Sequence, residues 1–223
     1  MNYKKSIDTK ELILQAAAKL FFEKGYSATT VRDIVAEANV SLSGLNYHFQ
    51  SKADLAGIIC QRFLKNFNSK IFAIIQTFTD DPALRDTIHI GYWAMIFITN
   101  TQCRDFYYEL AKEDILRHNL IESDYQHFLD QANYLGLNIS KSVLRSYAHI
   151  FVSAIIEIII AKKENELDLT TAETVDLYNE FHLKLLDLDA SRIRELIDSA
   201  DRYMSLIHYD IHDLMNVTLR YED

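Results

Sequence analysis

The sequence predicts an all-α protein, and two observations carry this prediction. The 223 residues include one proline and five glycines, whereas strands joined by tight turns need more such residues. Apolar residues also recur at helical spacing along most of the chain, and we find no strand-like alternation of any length. Hydrophobic residues make up 49% of the chain and charged residues 25%, which is typical of a globular protein with a substantial core.

A first helix is predicted from about Asp8 to Lys24. Asp8 and Glu11 have the spacing of a capping box at its start, and Gly25 is a typical residue for a C-terminal stop. Between these ends, apolar residues recur at helical spacing. They are Ile13, Ala16, Ala17 and Leu20.

Residues 30–49 indicate two short helices joined by a tight turn. Thr29 or Thr30 can cap the first of them. Asn39 stands at the turn, and Asn tolerates the left-handed backbone conformation better than any residue except Gly. Ser41 is a natural N-cap for the second helix, whose outward face is small and polar with one aromatic residue. The inward anchors of this helix are Leu45 and Phe49.

The chain continues from residue 49 into a long helix that Ser51 can cap and whose apolar residues extend to Phe67. We therefore predict an N-terminal domain at 1–52 and a C-terminal domain at 53–223, joined through one continuous helix. The Asp80-Asp81-Pro82 sequence is the clearest break in the chain. Further helices are predicted at about 83–100, 104–119, 123–136, 140–164, 172–188 and 190–214.

The formal charge of −9 is unevenly distributed. Residues 1–52 hold seven Lys and Arg against five Asp and Glu, a net charge of +2, and the remainder holds sixteen against twenty-seven, a net charge of −11. Only the N-terminal part can approach a polyphosphate favourably. The acidic remainder is expected to face away from nucleic acid.

The sequence also indicates a cellular compartment. Cys60 and Cys103 are the only cysteines, and we expect both to be reduced and buried. No apolar stretch follows the N-terminal lysines, so no signal peptide is expected. The apolar runs around 88–98 and 150–161 are too short to span a bilayer, and Glu157 interrupts the second. These features predict a cytoplasmic protein without a membrane partner.

Three sequence signals resemble the TetR family of bacterial transcriptional regulators. They are ILQAAAKLFFEKGYSATTVRDIVAEANVS, LNYHF and SKADL, in the order and spacing of that family. The likeness covers about the first 55 residues in sequence and the whole chain in layout. It implies a helix-turn-helix at 30–49, with Ser41–Tyr47 as the recognition helix, followed by a C-terminal ligand-binding and dimerisation domain.

The resemblance also implies roles for single residues in contact with DNA. Those expected to face base edges are Leu42, Ser43, Gly44 and Asn46. Those expected to hold the phosphate backbone are Thr30, Tyr47, His48 and Lys52, the last helped by the dipole of its helix.

This sequence departs from the family pattern at three positions. Asn39 occupies the usual Gly, Asn46 stands where an aromatic is frequent, and Gly44 lies inside the recognition helix, where it costs about 1 kcal/mol relative to Ala. Gly44 lets the backbone approach a base closely, or lets the helix order only on DNA. Few hydrogen-bonding groups face the bases, so part of the specificity is expected from DNA shape.

Aromatic residues crowd the C-terminal part, where Trp93 and 19 of the 25 Phe and Tyr residues lie. The resemblance implies a ligand cavity there, and this composition suits a flat or lipophilic effector. Ordinary core packing is the alternative for any single aromatic. The candidates are Tyr92, Trp93, Phe97, Phe106, Tyr107, Tyr108, Tyr125, Phe128, Tyr134 and Tyr147.

Isolated polar residues give weaker indications. Glu109 and Glu157 lie in otherwise apolar helices, where each either pairs with a cation or lies at a solvated edge. His208 and His212 are one turn apart on a predicted helix, a spacing that can hold a metal, but no second cluster accompanies them and a solvated face is the simpler interpretation. We predict no cofactor and no metal site.

Residues 141–161 are apolar over more than one face and must be buried on nearly all sides. Subunit contact is the economical explanation. The resemblance implies a homodimer formed through the last long helices across a two-fold axis, with 172–188 as the second helix of the interface.

Together these features predict a ligand-responsive homodimeric transcriptional regulator. They favour a repressor that a small molecule releases from a near-palindromic operator in double-stranded DNA. The alternative is a helical dimeric module that binds a protein partner and never touches DNA. An enzyme is not expected, because we find no phosphate loop, nucleophile elbow or metal cluster in the sequence.

Overall fold

The computed structural model describes residues 2–222, with side chains from residue 8 onward. This part of the chain contains ten helices and a two-stranded antiparallel hairpin. The helices are α1 (Asn2–Lys24), α2 (Val31–Glu37), α3 (Leu42–His48), α4 (Lys52–Ile75), α5 (Pro82–Thr99), α6 (Thr101–Lys112), α7 (Ile115–Tyr134), α8 (Lys141–Lys163), α9 (Thr171–Leu185) and α10 (Ala190–Met204). The strands are β1 (Ile207–Asp213) and β2 (Asn216–Tyr221).

Most helices begin at a polar side chain that accepts a hydrogen bond from the first turn, which satisfies one of the free amide groups there. The predicted N-caps Thr30, Ser41 and Ser51 all do so. Pro82 stands in the first turn of α5, where its missing N–H costs nothing. Local sequence signals therefore set most helix starts correctly, but α1 begins at Asn2, six residues before the capping box predicted at Asp8 and Glu11.

The break between α6 and α7 lies earlier than the sequence predicts. Helices were expected at 104–119 and 123–136, but α6 ends at Lys112 and α7 runs without interruption from Ile115 to Tyr134. Asp114 adopts a left-handed conformation with φ of 57° and turns the chain there. Asp is one of the few residues that tolerate this conformation as a single residue.

The predicted helix at 190–214 is wrong in its second half. α10 ends at Met204, and the following residues form the hairpin, with Ile211 opposite Val217 and an irregularity between Ile211 and Asp213. The expectation of no strand-like alternation is therefore also wrong. Asp213 accepts hydrogen bonds from two amides of the connecting turn, at 2.6 and 2.9 Å, which fixes the turn.

The hairpin packs along α4 and α5. Asn66 on α4 donates to the carbonyl of Met215 at 2.6 Å, and Lys70 donates to the carbonyl of Val217. On the other side, the hydroxyl of Tyr92 on α5 donates to the carbonyl of Ile207 at 2.8 Å. These side chains satisfy backbone groups at the edge of a two-stranded sheet that is marginal by itself.

We call α1–α3 the head and α4–α10 with the hairpin the body. Both contribute to one continuous hydrophobic core, in which Phe21 of α1 stacks on Phe106 of α6 with ring centroids 5.9 Å apart. The buried face of α4 continues this core from Leu55 to Ile75. The head is therefore fixed to the body by packing as well as by the chain.

α8 corrects the expectation that the apolar runs are too short to span a bilayer. It is long and apolar enough to cross a membrane by length and composition, the one such helix among the described residues. The core helix of a soluble protein meets the same criteria, and α8 packs against α6, α7 and α9. Glu157 lies on its exposed side, as expected for a solvated edge.

Candidate nucleic-acid interface and internal cavity

α3 is held by its two ends and by one buried face. The Ser41 hydroxyl accepts from the amide of Gly44 at 3.1 Å, and Asn39 turns the chain before it with φ of 50°, as predicted. Leu45 and Phe49 are each 2% exposed and anchor the helix in the head. A capped seven-residue helix with such anchors holds its outer face in one fixed orientation.

That outer face carries the residues expected to meet DNA. Tyr47 is 78% exposed and Leu42 50%, while Ser43 and Asn46 are exposed and His48 is half-buried. A Cβ added to Gly44 would lie 3.3 Å from the Ser41 hydroxyl. Glycine at this position therefore also leaves room for the helix cap.

Thr30 forms the start of α2. It shares a capping box with Asp33, whose carboxylate accepts from the Thr30 amide at 2.8 Å, and Lys24 pairs with the same carboxylate at 2.8 Å. These bonds hold the pKa of Asp33 down at about 2. Arg32 in the first turn of α2 is exposed, and the described side chains include no ion-pair partner for it.

Lys52 points into the protein instead of towards solvent. Its ammonium donates to the carbonyls of Tyr26 at 2.9 Å and Thr29 at 3.0 Å, and it lies 4.1 Å from the centre of the Tyr26 ring. It therefore ties the start of α4 to the loop between α1 and α2. A phosphate contact of Lys52 stays a prediction that requires this arrangement to change.

The same loop is held from the other side by α6. The carboxylate of Glu109 accepts from the amides of Tyr26 at 2.7 Å and Ser27 at 3.1 Å, and the Tyr26 hydroxyl donates to Glu113 at 3.0 Å. Burial, and then the bond to Glu113, raises the pKa of Tyr26. Glu109 is thus a contact between body and head, a role that the sequence did not indicate.

The body contains a cavity of about 70 Å³ among α4, α5, α7, α8 and α9. One water occupies about 10–15 Å³ on this measure, so the cavity holds several water-sized groups. Its apolar lining is Leu64, Ile90, Trp93, Leu120, Phe151, Ile155 and Tyr178. Its polar lining is Asn68, His89, Ser123, Asp124 and His127.

Of the ten aromatic residues proposed from the sequence, Trp93 lines this cavity. Phe97 lines a separate pocket between α5, α8 and α9, and Tyr134 is exposed on α7. Tyr108 donates to Glu164 at 2.8 Å, and Tyr125 lies under the guanidinium of Arg145. The others lie in or against the core: Tyr92, Phe106, Tyr107, Phe128 and Tyr147. Residue type alone did not indicate which face of a helix each ring occupies.

The polar lining includes titratable groups that the sequence analysis did not select. Burial lowers the pKa of His89 to about 3, and the ring donates or accepts at Asn68, 2.9 Å away. Burial raises the pKa of Asp124 to about 7, against the charge of nearby His127. Shifts of this size are common at functional sites.

Behind the cavity, three residues from distant parts of the chain meet. Each carboxylate oxygen of Asp86 on α5 lies 2.7 Å from one imidazole nitrogen, the Nε2 atoms of His127 on α7 and of His182 on α9. Burial opposes the charge on Asp86, but the two histidines outweigh burial and hold its pKa well below the usual range. The three residues are 41 and 55 positions apart in the sequence, so no local motif announced them.

His208 and His212 lie on a strand and not on a helix. They are four positions apart on the strand, which places their backbones about 13 Å apart, too far for the two side chains to share one ion. His212 contacts Thr218 at 3.1 Å instead. The spacing argument for a metal at these two residues therefore does not apply.

α8 and α9 carry apolar side chains on their outer surface. Val143 and Ile150 of α8 are 40% and 49% exposed, and Leu177 of α9 is 40% exposed. An apolar groove runs between the two helices, with Ala154, Ile158 and Phe181 in its walls. Only 39% of the most apolar part of α8 is buried, so much of the apolar surface noted in the sequence is uncovered in the single chain.

The head matches a known family. Residues 13–57 match the model for bacterial regulatory proteins of the tetR family. The chain is 36% identical over 76 residues to the HTH-type transcriptional repressor KstR2 of Rhodococcus jostii, covering 34% of this chain and 37% of that protein. It is 26% identical over 125 residues to the negative regulator IcaR of Staphylococcus epidermidis, covering 56% and 63%. The chain thus spans between about a third and two thirds of these relatives.

Solved structures extend the likeness to the whole fold. The structure of RolR in complex with resorcinol aligns with a TM-score of 0.69 at 15% identity, covering 87% of this chain and 95% of that one. A TetR-family regulator from Syntrophomonas wolfei aligns with a TM-score of 0.58 at 20% identity, covering 81% and 95%. The match to the tetR family model thus covers the helix-turn-helix region, and the solved structures show that the whole chain shares their fold.

Proposed function

We propose that this chain is a homodimeric transcriptional regulator that acts as a repressor and leaves its DNA operator when a small molecule binds in the body. The observation that carries the proposal is α3, a capped helix whose anchors are buried while Tyr47 and Leu42 stand out from the surface. Regulators and repressors among the relatives agree with this activity and with the expectation of no enzyme. The protein would act in the cytoplasm.

In this proposal α3 enters the major groove. Leu42, Ser43, Gly44 and Asn46 face base edges, and Asn46 is the side chain best able to read a base by paired hydrogen bonds. Contacts to phosphates come from the groups at the rim, which are Thr30, Tyr47 and His48. Lys52 contributes by holding the loop that positions α2, because reaching a phosphate would cost it two carbonyl contacts.

The exposed apolar surface of α8 and α9 supports a homodimer. Apolar patches of this kind on a folded chain mark contact surfaces, and two-fold contacts between like helices are the commonest solution. Sedimentation is expected to show a dimer that Ile150→Glu and Leu177→Glu convert to a monomer. Leu12→Glu, at an equally exposed leucine of the head, is the control and leaves the dimer intact.

A signal from the cavity can reach the head through α6. Trp93 lines the cavity and lies 6.1 Å from the ring of Tyr107 on α6, and Glu109 on the same helix holds the amides of Tyr26 and Ser27. A ligand that moves α6 therefore moves the loop before α2. The coupling needed for release is about 1–3 kcal/mol.

The test is selection of bound sequences from random double-stranded DNA, followed by affinity measurements on the enriched site. We expect a near-palindrome with half-site centres about 34–36 Å apart. Asn46→Ala is expected to cost about 1–3 kcal/mol of binding and to relax the preference at one position. Tyr47→Ala weakens binding to all sites.

Tyr134→Ala is the control, since Tyr134 is as exposed as Tyr47 but lies on the body. If no sequence is enriched, or if Tyr47→Ala binds DNA as tightly as the parent chain, the proposal is wrong. A dimer that captures a protein partner through α3 without binding DNA would instead favour the alternative of a protein-binding module.

A further inference from the structure

The Asp86 cluster has the composition of a metal site. It joins one carboxylate with two imidazoles, and its three nearest ligand atoms all lie within 4.8 Å of one another. Each residue comes from a different helix, so the helix packing of the body assembles the set. Two histidines and one carboxylate form a familiar ligand set for divalent transition metals, which leaves coordination positions open.

The carboxylate of the cluster is shared between its two imidazoles. Asp86 Oδ1 lies 2.7 Å from His127 Nε2, and Asp86 Oδ2 lies 2.7 Å from His182 Nε2. Asp86 is 1% exposed, so water does not compete for these contacts. All three groups can bind a metal ion once the imidazole protons are released, so an ion would replace the protons that hold the cluster together now.

We propose that Asp86, His127 and His182 bind a divalent transition metal ion such as Zn²⁺ or Co²⁺ at the inner end of the cavity. Zinc binds these ligands at about 2.0–2.2 Å, so tetrahedral ligands stand about 3.3 Å apart. The present carboxylate–imidazole separations of 2.7 Å are about 0.6 Å shorter than this. Mg²⁺ and Ca²⁺ are disfavoured because they prefer oxygen ligands.

The open coordination positions face the cavity. His127 lines the cavity and its side chain is 18% exposed, whereas Asp86 and His182 are closed off behind it. An ion can therefore enter past His127, and a ligand in the cavity can complete its coordination. Ser123 and Asp124, also in the lining, can orient a metal-bound water or a donor atom of that ligand.

The surroundings also limit the affinity. Nδ1 of His182 is buried without a hydrogen-bond partner among the described residues, whereas a metal-bound histidine usually donates its second N–H to an acceptor. Loss of such a partner typically lowers metal affinity by about 10–100-fold. We therefore expect reversible binding with a micromolar dissociation constant, which suits a sensor better than a permanent structural site.

The binding test uses the full chain after treatment with a chelator. Co²⁺ titration is expected to produce visible d–d absorption that saturates at one ion per chain, and Zn²⁺ is expected to displace it. His127→Gln and Asp86→Asn are each expected to weaken binding at least tenfold. His118→Gln, at an exposed histidine of the same helix α7, is the matched control and leaves binding unchanged.

Circular dichroism of the metal-free variants shows whether they fold. His127→Gln keeps the test decisive if Asp86→Asn fails to fold, because His127 is the least buried ligand. Absence of Co²⁺ absorption in the parent chain would overturn the proposal. So would unchanged affinity in a folded His127→Gln, which would make the cluster a hydrogen-bonded core group instead.

Only a role of the metal in release rests on the function proposed above, so the two are tested separately. Operator affinity is measured on the metal-free chain and again with saturating Zn²⁺. Metal binding at the cluster without any DNA binding would contradict the regulator but keep the site. DNA binding that Zn²⁺ does not change, alone or with candidate ligands, would remove the metal from the release step.

Discussion

In the head, polar side chains either cap a helix or face solvent, and the buried Thr29 hydroxyl donates to the carbonyl of Gly25 at 2.7 Å. In the body, four of the described residues bury polar atoms without a partner, and all of them lie on α5, α7 or α9. They are His89, Gln131, Asn179 and His182. Unpaired buried polar atoms cost stability and are rare in folded proteins, so four of them in one region set the body apart from the head. The head is built to present a fixed surface, and the body is built around a polar interior.

The largest expected effect on stability comes from removing Phe49, the buried anchor of α3 in the head. Phe49→Ala deletes a side chain that is 2% exposed, and we expect a loss of about 3–5 kcal/mol in the free energy of unfolding. Denaturant titration measures this loss, and operator affinity should fall with it. Phe72→Ala, at a 37% exposed phenylalanine of α4, should cost far less.

The contact between the two regions is tested by Glu109→Gln. Its carboxylate accepts two backbone hydrogen bonds, and charge-assisted bonds contribute about 1.5–3 kcal/mol. We expect the variant to bind its effector normally but to show a weaker effect of that effector on operator affinity. Glu157→Gln, on the exposed side of α8, is the control. If the effector lowers operator affinity as much in Glu109→Gln as in the parent chain, the signal does not pass through Glu109.

The stability of the protein is expected to depend on pH through Asp124, which lies in the polar interior of the body. Burial raises the pKa of Asp124 to about 7, above its usual value of 3.8, so its contribution to stability is present below pH 3.8 and is lost as the pH rises to about 7. Asp124→Asn should therefore match the parent chain near pH 4 and become relatively more stable towards pH 8. Thermal melts of both chelator-treated proteins across this pH range measure the difference in their melting temperatures. A difference that stays constant with pH would contradict the prediction.

A smaller gain in stability is expected when the buried Asn179 of the body is replaced by an apolar residue. Asn179 is 1% exposed, and both polar atoms of its amide lack partners among the described residues. Asn179→Leu has a similar volume and should raise the free energy of unfolding by about 1 kcal/mol. A loss of stability would show that the amide is paired in solution.

The smallest effect on stability is expected at Gly44. Alanine gains up to about 1 kcal/mol of helix propensity, but its Cβ would lie 3.3 Å from the Ser41 hydroxyl and crowd the cap. These effects oppose each other, so the melting temperature should change little. A clear drop in operator affinity for Gly44→Ala would then come from the DNA interface.

The head could be predicted in detail because its signals are local. Ser41, Asn39 and the Leu45–Phe49 pair each act within a few residues, and the structure confirms the caps, the turn and the anchors. The hairpin was missed because the helical periodicity of α10 runs directly into it, although Ile207 and Val217 alternate with polar neighbours. The polar lining of the expected cavity and the Asp86 cluster behind it were missed because their residues come from helices far apart in sequence, and only packing brings Asp86 to His182.

The hairpin has a mechanical consequence for α4, the helix shared by the two regions. Asn66 and Lys70 fasten the C-terminal half of α4 to the turn and the second strand of the hairpin, which holds that half in place. The part of α4 from Lys52 to Asn66, which lies before these contacts, is about 21 Å long at 1.5 Å per residue. Arg62 braces it against Glu11 of α1 at 2.7 Å. We therefore expect a displacement of α4 to be smallest in its C-terminal half and to act on the head through its first turns.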